Sequence, residues 1–138
     1  MKRLDLQQLS RVRLKDAAVL FRAGNYGGSY YLAGYTIECG LKACIAKNIS
    51  KHEFPDKSLA NEAWTHSLEK LIRVAGIWSD FEKDAKTNKT LERNWAIVKD
   101  WSENSRYSLS ISSVDARDLY SAIASRKNGV LKWIRARW

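Results

Sequence analysis

At 138 residues, with 45% apolar and 28% charged side chains, the chain fits one globular domain spanning residues 1–138. A single proline and seven glycines argue against a strand-and-turn architecture, and two cysteines are too few for a disulfide framework. The formal net charge of +9 at pH 7 disfavours basic partners and favours phosphate-rich ones.

The opening stretch MKRLDLQQLSRVRLKD lacks the apolar core of a signal peptide, which leads to an expectation of a cytoplasmic protein. Residues 3–22 read as a first helix: Leu6, Leu9, Ala17, Leu20 and Phe21 keep helical spacing, with Arg11, Arg13, Lys15 and Arg22 outside. Gly24-Asn25 stops it, because both residues tolerate left-handed backbone. A central helix follows over about 26–48, carrying the longest apolar run, Tyr30–Ala46. Glu38 and Lys42 interrupt that run and argue against a membrane span. Their spacing suits an i,i+4 ion pair, one that fixes helix register or a dimer seam. The interior Gly34 and Gly40 mark close packing against another helix or a second subunit. Cys39 and Cys44 are separated by about 140° and about 7.5 Å, so they suit neither a disulfide nor a zinc site. No metal and no cofactor is expected.

Residues 49–64 read as a polar connection broken by Pro55, with a short helical turn around 58–63. Thr65 caps a third helix over about 66–76, ended by Gly76, and His66 reads as a helix-start residue whose ring bonds a loop. A short helix over 78–86 precedes a longer one over 88–104, with Trp95 and Trp101 at core spacing. A serine-rich connection then leads to a capping box at Ser112 and Asp115. One last helix over about 113–137 completes the chain. The reading is all-α, an up-and-down bundle of about five helices.

Residues 1–55 carry nine basic and four acidic side chains, and residues 111–138 carry six and two. The middle of the chain is balanced. If the first and last helices pack together, Arg11, Arg13, Lys15, Arg126, Lys127, Lys132 and Arg135 form one basic face suited to RNA or DNA. Trp133, among those charges, is the best candidate for stacking on a base, with packing at a subunit interface as its alternative. Glu38, Lys42, Arg106 and Tyr107 are the candidate polar centre. In an RNase, Arg106 would supply a cation near the phosphate, Tyr107 a hydroxyl, and Glu38 a base. Alternatively, Arg106 closes a helix C-terminus over a packed tyrosine.

Several segments in this order resemble the HEPN domain family. They are Gly24-Asn25-Tyr26, Tyr30-Tyr31-Leu32-Ala33-Gly34-Tyr35 and Glu38-Cys39-Gly40-Leu41-Lys42-Ala43. Thr65-His66-Ser67-Leu68-Glu69-Lys70-Leu71, Trp101, Arg106-Tyr107 and the amphipathic final helix extend the likeness over nearly the whole chain. The resemblance implies a four- or five-helix bundle that usually dimerises and belongs to a defence or toxin–antitoxin type system. Some relatives of this kind pair with a small nucleotidyltransferase. Active RNases of the family carry an arginine, an adjacent polar residue and a histidine four to six residues beyond. This sequence has only His52 and His66, neither preceded by an arginine at that spacing. The expected function is therefore a dimeric module that binds RNA, a nucleotide or a protein partner. The alternatives are a metal-independent RNase at Arg106 and Tyr107, and a purely structural interaction module.

Overall fold

A computed structural model describes residues 1–49 and 57–138. The described residues form eight α-helices and one 3-10 turn, with no strand among them. The helices are α1 (Arg3–Arg22), α2 (Tyr26–Ile49), α3 (Lys57–Ala63), α4 (Leu68–Val74), α5 (Trp78–Thr87), α6 (Lys89–Lys99), α7 (Ser113–Ala124) and α8 (Val130–Arg135). The 3-10 turn spans Glu103–Tyr107. Pro55 and His52 lie outside the described residues. No helix of the described residues is long and apolar enough to cross a membrane.

α2 is the axis of the bundle. Half its residues are buried, and it packs against α1, α4, α7, α8 and the 3-10 turn. Small residues let α1 approach it closely. Ser10 Oγ donates to the Thr36 carbonyl and Ser29 Oγ to the Ala17 carbonyl, each at 2.8 Å, so the buried hydroxyls are satisfied. Both interior glycines meet neighbours within the chain. Gly34 lies beneath the Trp101 indole, and a Cβ at Gly40 would sit 3.2 Å from Ile134. An aromatic cluster closes the far end: the Phe81 ring lies 5.0 Å from Trp133, 5.3 Å from Trp95 and 5.8 Å from Trp78.

The turn signals hold where backbone geometry demands them. Gly24 and Gly76 adopt φ of 79° and 75°, and Ser112 and Asp115 form a reciprocal capping box. Three elements differ from expectation. Ser67, not Thr65, caps α4, while the Thr65 hydroxyl accepts from the Ser67 amide at 3.1 Å. The helix expected over 88–104 stops at Lys99, and its tail becomes the 3-10 turn. The last helix breaks between Ala124 and Val130. There the Gly129 backbone packs so tightly on the carbonyls of Ile123 and Ser125 that a Cβ has no room. Asn128 locks the break onto α6: its carbonyl accepts from Asn94 at 2.8 Å and its side chain from Asn88 at 2.9 Å.

Candidate functional site

Glu38 is buried in the middle of α2, with only 3% of its side chain exposed. A buried carboxylate requires partners on both oxygens. Oε2 accepts from the Lys42 ammonium at 3.2 Å, one helical turn on. Oε1 meets His66 Nδ1 at 3.0 Å. The other ring nitrogen, Nε2, faces Glu103 Oε2 at 3.1 Å. With an acceptor on each side, both bonds form only when both ring nitrogens carry a proton. Glu38, Lys42, His66 and Glu103 make a linked quartet, which ties α2, the segment before α4 and the 3-10 turn together. The two carboxylates approach opposite sides of the ring and do not converge on one point. Among the described residues no cluster of His, Cys, Asp and Glu has the arrangement to hold a metal ion.

The candidate polar centre thus divides. Glu38 and Lys42 pair as their spacing predicts, but their further partners are His66 and Glu103. Arg106 and Tyr107 belong to a second locus. The Arg106 guanidinium lies 4.8 Å from the Tyr107 ring centroid. Hydrogen bonding to Tyr107 and Tyr31 drives its pKa further up, so it is a permanent cation. It lines an open cavity of about 420 Å³ with Tyr31, Gly27, Gly28 and Ser108. Trp101 separates the two loci, buried over Gly34 and stacked on Tyr31 at 6.0 Å.

A third region is the basic face. Leu14 of α1, Ile123 and Ala124 of α7, and Leu131 of α8 line a groove of about 260 Å³. Its charged walls are Arg126, Lys132 and Arg135, and no carboxylate of the described residues lines it. All three cations are exposed, as is the adjacent Lys127, and none takes part in an ion pair among the described residues. Arg11 and Arg135 both lie over the Trp138 ring, at 5.1 and 5.7 Å, which brings the basic residues of the two chain ends onto one face. Arg13 is engaged by Asp16 at 2.8 Å, and Lys15 is exposed further along α1.

Trp133 is corrected. It is a core residue, with only 9% exposed. Its indole donates to Asp84 at 2.8 Å, and Arg137 covers its face at 3.6 Å. Neither ring face is open to a base. Trp138 is the aromatic residue that sits among these cations, beneath Arg11 and Arg135. The cysteines behave as apolar side chains: burial pushes both thiols up to about 11, so they remain protonated and unreactive at neutral pH.

Glu103 carried no sequence signal, since nothing local links a residue in a helix tail to a histidine on another segment. His66 follows from its place at a helix start as a ring that bonds a loop, while its position between Glu38 and Glu103 does not follow from any spacing. No protein-family model, curated protein or solved structure matches the chain.

Proposed function

We propose that the chain is a HEPN-like helical module that acts by binding, and that its partner is RNA. The basic groove between α1, α7 and α8 carries this reading. Among the described residues, three exposed cations without ion pairs line one concavity free of acids, with Lys127 and Arg11 beside it. Such an array is complementary to successive phosphates and gains affinity by releasing their counterions. The order of motifs around Glu38, His66 and Arg106 supports the family reading. That reading brings a homodimer with it, and a protein partner of nucleotidyltransferase type within a defence or toxin–antitoxin type system.

The test is binding of a fluorescently labelled single-stranded RNA at low ionic strength. The unmodified protein binds, and a variant combining Arg126→Ala, Lys132→Ala and Arg135→Ala loses most of that affinity while melting unchanged. Equal binding by both proteins removes the groove from the reading.

A second reading, RNA cleavage at Arg106 and Tyr107, draws on the exposed guanidinium at the rim of its cavity. Glu38, the base it would need, already holds Lys42 and His66. Cleavage by the purified protein that disappears in Arg106→Ala would favour this reading over binding alone.

A further inference from the structure

Beside the quartet, α1, α2 and α3 line an open cavity of about 420 Å³. That size falls within the range of small-molecule sites. Leu6 and Leu9 of α1, Ile45 and Ile49 of α2, and Ala63 and Trp64 beside them make its walls apolar. Trp64 is 85% exposed at this site, a large aromatic surface that no described residue covers. The polar groups lining the cavity come from one stripe of α2: Tyr35, Glu38, Cys39 and Lys42.

What these groups still offer defines a ligand. Both oxygens of Glu38 already accept hydrogen bonds, and its charge faces Lys42 and His66. The Lys42 ammonium has three donors, of which Glu38 takes one. Burial pushes the Tyr35 hydroxyl up to about 12 and the Cys39 thiol to about 11, so both stay neutral. The unspent polar capacity is therefore that of a donor and a cation, in an open, largely apolar cavity.

We propose that this cavity binds a small amphipathic carboxylate, its head on Lys42 and its apolar body between α1, α2 and α3. The carboxylate takes the spare ammonium donors, and the tail covers Leu6, Leu9 and Ile45. This site is separate from the basic groove, and the two fail or stand independently.

Titration calorimetry with sodium decanoate below its micelle concentration tests the proposal, with decyltrimethylammonium as the oppositely charged probe. Decanoate binds saturably at one site per chain, and the ammonium probe binds at least about tenfold more weakly. Ala46→Phe, which fills the cavity from α2, abolishes decanoate binding with the fold intact. Lys42→Met weakens it about tenfold and Lys42→Arg restores it. Arg126→Ala with Lys132→Ala leaves it unchanged, which separates the cavity from general attraction to a basic surface. The proposal is overturned by any of three results: no saturable binding, equal affinity for both probes, or unchanged binding in Ala46→Phe.

Discussion

Gly34→Ala adds one methyl group at the point where α2 meets Trp101. A Cβ there would fall among the pyrrole atoms of the indole ring, not against a flexible side-chain end. The ring cannot swing aside cheaply, because it is 3% exposed and stacked on Tyr31. Overpacking of this kind costs about 3 kcal/mol, the upper end of its usual range. Alanine regains about 1 kcal/mol in helix propensity. The net loss is about 2 kcal/mol, or roughly 6–10 °C in Tm for a chain of this size. Differential scanning calorimetry with urea unfolding reads it directly. Trp101→Ala in the same chain makes the two effects non-additive, because the smaller side chain vacates the space the methyl needs. A Gly34→Ala protein as stable as the parent, or more stable by the propensity gain, would refute the placement of Trp101. It would also undercut the positioning of the 3-10 turn that carries Glu103 and Arg106.

The quartet predicts a ranked series in urea unfolding. Glu38→Gln costs about 2–3 kcal/mol, somewhat below a fully sealed pair because Lys42 and His66 retain solvent. His66→Ala costs about 1–2 kcal/mol by leaving one buried oxygen unpaired. Glu103→Ala costs under about 1 kcal/mol because it is half-buried and pairs with the exposed His66 ring, and a reversed order would contradict the geometry. The thiols predict alkaline weakening. The folded chain holds both protons up to about 11 against an ordinary 9.0, so stability is fully present below about pH 9 and falls as pH rises through 11. Urea midpoints at pH 8 and pH 10.5 measure the slope, which flattens in a Cys39→Ala/Cys44→Ala protein. Trp133→Phe loses the bond to Asp84, costs about 1–2 kcal/mol and leaves RNA affinity unchanged; a large drop in affinity would return Trp133 to the surface.

The sequence was most legible where one short-range rule controls the backbone. The extents of α1 and α2, the stops at Gly24 and Gly76, and the box at Ser112 follow from periodicity, left-handed glycine and cap spacing. The break between α7 and α8 was not legible. Leu119, Ile123, Val130, Leu131 and Ile134 stay near one helical phase across it, and the cause is the crowding of Gly129 against carbonyls and the grip of Asn88 and Asn94. At the site, the i,i+4 pair of Glu38 and Lys42 was visible because both lie on one helix. Its completion by His66 and Glu103 depends on which loops dock beside α2, and no spacing encodes that. Trp133 misled because its sequence neighbours are cations. On a six-residue helix those neighbours point outward while the indole points into the core.

The central claim is that Arg126 and Lys127 of the link between α7 and α8, with Lys132 and Arg135 of α8, bind a phosphate backbone, and its most direct test is the salt dependence of affinity for single-stranded RNA. Four engaged cations predict a slope of log K against log salt of about −3, falling by about 2 when Arg126, Lys132 and Arg135 become alanine. A slope near zero, or one that the three substitutions leave unchanged, would contradict it.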